Sequence, residues 1–373
     1  MKKKVIFMVI NMNIGGTEKA LLNRIAEMPS DQYDITVLML EKRGGFLKYI
    51  PRHVHIEVLD TYSNIKTIIN TPPLELIRKF VKAGNIVKAL QFSGIYSLSK
   101  LMKNNNLLLK YVLKDIKNYK GTYDQAIAYA GPMDLISYFI LNKVRATEKI
   151  QWIHFDVSKI GFNREYAKKL YKKFDGICVV SEEGKRKLIK MLPELERKVQ
   201  ASPNPIPETI IKDMANEGTG FHDNYNGIRI LTVGRLSYEK GQDLIIKVAA
   251  ELKKTGLKFR WYCIGQGNAR GEYEELIKTY GLQEDFILLG STSNPYPYMK
   301  HCDLYVQPSR HEGYCLTLAE AKVFNKPIVS TDFTGAYEQL HQRKNVRIVN
   351  FDEHEMKKSI SNLLKNMKRK EVI

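Results

Sequence analysis

A chain of 373 residues is too long for one ordinary hydrophobic core and about right for two domains. Hydrophobic residues at 44% and charged residues at 27% exclude collagen, disordered tails and coiled coils, and no apolar run reaches the roughly 18–20 residues that span a bilayer. The formal net charge of +19 is uneven: residues 1–203 hold 35 basic and 19 acidic side chains (net +16) and the remainder 24 and 21 (net +3), so the first half is expected to meet an anionic partner.

Met1-Lys2-Lys3-Lys4 followed by VIFMVI imitates a secretion signal, but the apolar stretch is short and a polar Asn-Met-Asn with two glycines follows instead of a cleavage site. The segment reads as a first strand in a cytoplasmic chain. In GGTEKALLNRIAEM, Ala20, Leu21, Ile25 and Met28 keep helical spacing. DITVLML and HVHIEVL are the next strands, and DQAIAYA, EKIQWIHF and DGICVV continue the series. Ser202-Pro203-Asn204-Pro205-Ile206-Pro207 interrupts it, after which IRILTVG, FRWYCIG, DFILLG, DLYVQPS and KPIVS alternate with helices. Strand–helix alternation at this spacing implies βαβ units and parallel sheets. The expected architecture is two doubly wound α/β domains, 1–203 and 204–352, with 353–373 as a helix returning to brace the first domain.

Residues 74–120 break the rhythm with a mostly helical insertion. It holds ten basic residues (Arg78, Lys79, Lys82, Lys88, Lys100, Lys103, Lys110, Lys114, Lys117, Lys120) against Glu75 and Asp115. Two readings stand: a pair of surface helices with one buried face, or an amphipathic insertion resting on anionic lipid. No RNA-binding aromatic motif or helix-turn-helix accompanies the charge, so specific nucleic-acid binding is not expected. Cys178, Cys263, Cys302 and Cys315 form no CxxC or spaced Cys/His cluster; buried free thiols are expected rather than disulfides or zinc.

The sharpest signal is Ser309-Arg310-His311-Glu312-Gly313-Tyr314-Cys315-Leu316-Thr317-Leu318-Ala319-Glu320, a strand-end loop running into a helix. Ligands of doubly wound sheets bind at the carboxyl ends of strands, and the free N–H groups of a helix start favour a phosphate. Glu312 and Glu320 have backbones up to about 12 Å apart, which suits one carboxylate on either side of a diphosphate. Taken alone they read as an exposed loop acid and an ordinary solvated helix residue, and it is the flanking context that points to a site. Val233-Gly234-Arg235-Leu236-Ser237-Tyr238-Glu239-Lys240-Gly241 is a second strand-end loop whose Arg235 and Lys240 can place two cations over one pocket. Cations for a diphosphate and acids for hydroxyls are what a nucleotide-sugar requires.

With VGRL-x-x-x-KG, IGQG after the next strand, a strand ending LLG and E-x7-E, the second half resembles the retaining GT-B glycosyltransferases of family four, and GGTEKALLNRI and Gln151-Trp152-Ile153-His154 are similar to that family's glycine loop and His-bearing strand end. The resemblance implies two Rossmann-like domains facing each other across a cleft. It implies that Arg235 and Lys240 hold the donor diphosphate, that Glu320 binds the ribose and that Glu312 contacts the donor sugar. The backbone of Gly313, Tyr314, Cys315 and Leu316 would support sugar and phosphates, Gly15, Gly16 and Gly265 would lie at the donor, and His154 would face the reacting sugar. It further implies a UDP-sugar donor, metal independence with no cofactor, and a cell-envelope glycan, lipid-linked or polyanionic acceptor at the inner membrane face. Tyr314-Cys315 departs from the usual aromatic–Gly or aromatic–Pro pair, placing a side chain where backbone ordinarily crowds the donor. The rivals are a nucleotide-sugar epimerase, a sugar phosphorylase and a non-catalytic basic subunit binding membrane or polyanion.

Overall fold

The computed structural model describes residues 1–102, 105–161 and 163–370; Lys103 of the basic insertion and the last three residues of the terminal segment lie outside the described residues. Two compact units carry one parallel sheet each: the first comprises residues 1–13, 24–180 and 185–202, the second 14–23, 181–184 and 203–373.

The first unit's sheet contains β1 (Lys3–Val9), β2 (Tyr33–Met39), β3 (His55–Val58), β4 (Thr122–Gly131), β5 (Arg145–Ile153), β6 (Gly176–Val179) and β7 (Val199–Ala201). Their order is β3-β2-β1-β4-β5-β6-β7, so strand order reverses between β1 and β4. Val5 to Val9 are all buried, because helices cover both faces of a parallel sheet and leave its central strands continuously apolar. The edge strand β3 is mostly exposed, and β7, three residues long, carries no sequence pattern from which it could be read. Among the described residues, the insertion contains the helices Pro73–Lys82, Ile86–Leu101 and Asn106–Val112, where a pair of surface helices was one expectation.

The second sheet contains β8 (Ile228–Val233), β9 (Phe259–Ile264), β10 (Phe286–Gly290), β11 (Leu304–Gln307), β12 (Ile328–Thr331) and β13 (Val346–Val349), in the order β10-β9-β8-β11-β12-β13. Successive residues point to opposite faces. Ile230, Trp261 and Val306 therefore join one core with the helix Gln242–Lys253. Leu231, Tyr262 and Tyr305 join the other, with the helices Glu208–Met214, Tyr296–His301 and Leu316–Ala321. Trp261 is fully buried and its indole N–H donates to Thr232 Oγ1 at 3.1 Å, so no polar group is stranded there.

The terminal helix Glu353–Lys370 belongs to the second unit, which corrects the expected brace on the first. Met356, Ile360, Leu363 and Leu364 form one face and pack in the core shared with Gln242–Lys253. An amphipathic pattern tells that a helix has a partner, not which core supplies it. All four cysteines are free and buried, as expected.

Candidate active site

The strands β8 and β11 are neighbours where the second sheet's order reverses, the position at which doubly wound sheets bind ligands. Both sharp motifs leave the carboxyl ends of these two strands. Close backbone approach fixes their loops. A Cβ on Gly265 would sit 1.8 Å from the Gly234 carbonyl oxygen. Gly241 has φ +69°, and a Cβ there would lie 2.1 Å from the Pro308 carbonyl oxygen, so the two loops touch at a point only glycine permits.

Across that contact Lys240 Nζ meets Glu312 Oε1 at 2.5 Å. Ser309 Oγ donates to the same oxygen at 2.8 Å, Gln307 Nε2 donates to Ser309 Oγ at 2.9 Å, and Tyr305 OH donates to Gln307 Oε1 at 2.9 Å. A buried polar chain thus runs from within β11 to Glu312, orienting its carboxylate. Burial pushes the Lys240 ammonium down, but the Glu312 carboxylate outweighs it and its pKa lies above the ordinary value.

Arg310 clamps the two loops. Its guanidinium makes a two-pronged bridge to Asp243, at 2.7 and 2.6 Å, and donates to the Tyr238 carbonyl at 2.6 Å. The rings of Tyr238 and Phe351 lie 3.8 and 4.2 Å from its centre. Gln242 Nε2 holds the Arg235 carbonyl at 2.8 Å. Arg235 itself is exposed, with the Glu18 carboxylate as an electrostatic neighbour. Gly15, just ahead of the helix Gly16–Ala26, packs against Glu18, whose Oε2 would lie 2.5 Å from a Cβ at that position. A Cβ on Gly16 would meet no heavy atom within 4 Å, so no neighbour among the described residues demands glycine there.

Glu320 is buried inside the helix Leu316–Ala321 and accepts from Tyr296 OH at 2.8 Å. Burial raises its pKa to about 7, opposed by the Lys19 charge and the Tyr296 bond. It is therefore not a solvated helix residue. Among the described residues, the N–H groups of Gly313, Tyr314, Cys315 and Leu316 have no protein acceptor. The Gly313 carbonyl accepts from Ser181 Oγ at 3.1 Å, and the Tyr314 carbonyl from Gln339 Nε2. Cys315 takes φ +62°, a left-handed conformation that costs a non-glycine residue roughly 1–2 kcal/mol. Its side chain joins the apolar cluster containing Tyr305 and Leu318. Burial raises the pKa of its thiol.

His154 follows β5 in the first unit. It is buried beside Tyr129, with ring centroids 4.5 Å apart, and its Nε2 is a buried atom without a partner. Burial lowers its pKa to about 3, opposed by a hydrogen bond to the Tyr129 backbone and reinforced by the Arg24 charge, so the imidazole is neutral at physiological pH.

Lys240, Glu312 and a row of N–H groups without a protein acceptor thus lie at one switch point, with Arg235 and Glu320 on the same two strand-end segments. Residues 222–373 match the family Glycosyl transferases group 1. This region contains all six strands of the second sheet. An uncharacterized glycosyltransferase of Methanocaldococcus jannaschii is 28% identical over 255 residues, 63% of this chain and 62% of that protein. The N-acetylgalactosamine-N,N'-diacetylbacillosaminyl-diphospho-undecaprenol 4-alpha-N-acetylgalactosaminyltransferase of Campylobacter jejuni is 32% identical over 171 residues, 46% of this chain and 45% of that protein. Each match spans less than two thirds of the relative's own length. Anabaena HepE, solved in complex with UDP and glucose, superposes with a TM-score of 0.67 at 17% identity over 98% of this chain and 91% of its own. The fold is the two-sheet, Rossmann-like GT-B fold.

Within the second unit, Lys240 and Glu312 meet directly, Gly265 and Gly241 set the approach of their loops, and Glu320 faces Lys19 and Tyr296. Contributors that the sequence did not point to include Arg310, Asp243, Tyr296 and Lys19. Arg310 lies inside the quoted motif, but its partner is 67 residues away, and only the tertiary structure pairs them.

Proposed function

We propose that the protein is a retaining glycosyltransferase that moves a sugar from a UDP-sugar to a cell-envelope glycan, lipid-linked or polyanionic acceptor. The observation that carries this reading is the convergence of Lys240, Glu312 and the unpartnered N–H groups of Gly313 to Leu316 at the β8/β11 switch point. Arg235 and Lys240 hold the diphosphate and stabilise the charge that develops on the departing oxygen, the positive charge coming from side chains rather than from a metal. The buried Glu320 accepts hydrogen bonds from the ribose hydroxyls. Glu312, oriented by Ser309, accepts from hydroxyls of the donor sugar.

In the transfer step the bond from the anomeric carbon to the β-phosphate oxygen breaks, and the acceptor oxygen bonds to that carbon on the same face. The acceptor's proton passes to the departing phosphate oxygen, and UDP is released. No protein carboxylate need become covalently attached. The Campylobacter relative supports a lipid-linked acceptor, since its name specifies a diphospho-undecaprenol substrate. The net charge of +16 on residues 1–203 supports a polyanionic or membrane-borne one.

A thermal-shift panel of UDP-, GDP- and ADP-sugars tests the donor class, with the largest shift expected for a UDP-sugar. Lys240→Ala and Glu320→Ala are each expected to weaken UDP binding. Unchanged UDP affinity in both variants overturns the site. Product analysis with donor alone separates transfer from epimerisation, because an epimerase alters the donor without an acceptor.

A further inference from the structure

The longest helix of the insertion, Ile86–Leu101, is apolar on two opposite sides. One side is ordinary core: Ala89, Phe92 and Ser99 are buried, and Phe92 packs against Phe80 and Tyr111 at centroid distances of 6.2 and 6.1 Å. The other side carries Val87, Leu90, Leu98 and Leu101, which are 67%, 69%, 47% and 81% exposed. At 3.6 residues per turn these four, with Gly94 between them, fall within an arc of about 80° centred opposite the buried side. The adjoining helix Pro73–Lys82 adds Leu74 and Val81, seven residues apart and also exposed.

Single exposed apolar side chains are normal on a protein surface; an aligned row of them is not. A helix that is apolar all round lies in a core or against lipid. Among the described residues, no helix is long and apolar enough to cross a membrane, so a spanning role does not account for this one. The charge around the row identifies the occupant. Arg78, Lys79, Lys82, Lys88 and Lys100 are all exposed, and the one acid between residues 74 and 102 is Glu75, which Lys79 pairs at 2.8 Å. A second copy of this chain would set the same cationic rim against itself. An anionic lipid surface instead offers phosphates to the lysines and acyl chains to the leucines.

We infer that the helices Pro73–Lys82 and Ile86–Leu101 form an interfacial membrane-docking surface, with Val87, Leu90, Leu98 and Leu101 inserting among lipid chains and the surrounding Lys and Arg side chains lying on anionic headgroups. The assignment stands apart from the chemistry of the second unit, because it uses no residue of that unit.

Vesicle flotation of the full chain tests it, using phosphatidylglycerol/phosphatidylcholine vesicles against phosphatidylcholine alone. The protein is expected to partition at least about tenfold more strongly onto the anionic vesicles, with the preference falling as salt is raised. The double variant Leu90→Glu/Leu98→Glu is expected to lose that partition by roughly tenfold or more while melting at the same temperature, since both side chains are exposed. Lys82→Gln/Lys88→Gln/Lys100→Gln is expected to lose the anionic preference and its salt dependence. Equal flotation of wild type and the leucine variant, or equal wild-type binding to the two vesicle types, overturns the inference. So does a solution dimer that the leucine variant abolishes without any vesicle binding by the wild type, an outcome that assigns the row to a second copy.

Discussion

Lys240 Nζ lies 2.5 Å from Glu312 Oε1, an ion pair that closes two strand-end loops 72 residues apart in the chain. A diphosphate held by Lys240 has to share the ammonium with that carboxylate. On the proposed reading the two residues therefore oppose each other in nucleotide binding although both would serve transfer.

Substitution should separate the pair. Lys240→Ala is expected to weaken UDP binding by about 10–100-fold, the scale of one charge-assisted phosphate contact. Glu312→Gln is expected to leave UDP affinity unchanged or a few-fold tighter while lowering kcat/KM for the UDP-sugar by about 100-fold. Calorimetry with UDP and initial rates with the donor make the comparison. A parallel loss of UDP affinity in both variants contradicts the assigned division of labour.

Gly16 gives a cleaner probe, because a Cβ there meets no heavy atom within 4 Å. Alanine at the start of the helix Gly16–Ala26 is expected to leave stability unchanged or improve it by up to about 1 kcal/mol. If the donor's phosphates approach this backbone, Gly16→Ala nevertheless weakens UDP-sugar binding. An intact Tm with undiminished affinity removes Gly16 from the site.

The buried Glu320 makes stability and binding depend on pH. Its carboxyl releases its proton near pH 7 in the folded chain and near 4.5 in the unfolded one. The folded state therefore holds more protons between these values, and stability falls as pH rises from 4.5 to 7, by on the order of 3 kcal/mol. Glu320→Gln removes this slope, so urea melts at pH 5 and pH 8 should show the variant gaining relative to wild type at the higher pH. The ionised carboxylate is the better acceptor for ribose hydroxyls, so the rise of wild-type UDP affinity as pH passes through about 7 is expected to be steeper than that of the variant, whose remaining slope comes from the terminal phosphate of UDP.

Arg310 is a positioning residue, bonded to Asp243 and stacked between Tyr238 and Phe351. Arg310→Lys keeps the charge but loses the fork and the stack, and is expected to cost about 1–3 kcal/mol of stability. It should also lower kcat/KM for the UDP-sugar by about tenfold, through displacement of the Lys240 and Glu312 loops. A thermal double-mutant cycle over Arg310→Ala and Asp243→Ala should show coupling of at least about 1 kcal/mol. Additive losses would mean that the two side chains do not act as one clamp.

Much of this was open to reading from the chain alone, and for a physical reason. Central parallel strands are buried on both faces, so β1, β8, β9 and β11 stand out as β-branched and aromatic runs, and their carboxyl ends mark where Arg235, Lys240, Glu312 and Glu320 had to lie. The short edge strands β7 and β13 bury too little to leave such a pattern. The terminal helix shows an apolar stripe but nothing that names its partner.

Local periodicity and strand-end chemistry thus determined two doubly wound sheets and which residues stand at the carboxyl ends of β8 and β11. Strand order, which places β8 beside β11, decided that Lys240 pairs with Glu312 and that Arg310 pairs with Asp243. Burial decided that Glu320 holds its proton to about pH 7, and packing decided which side of the helix Ile86–Leu101 faces outward. These outcomes depend on contacts between segments distant in sequence and on the loss of water around them, and neither is carried by the spacing of residues along the chain.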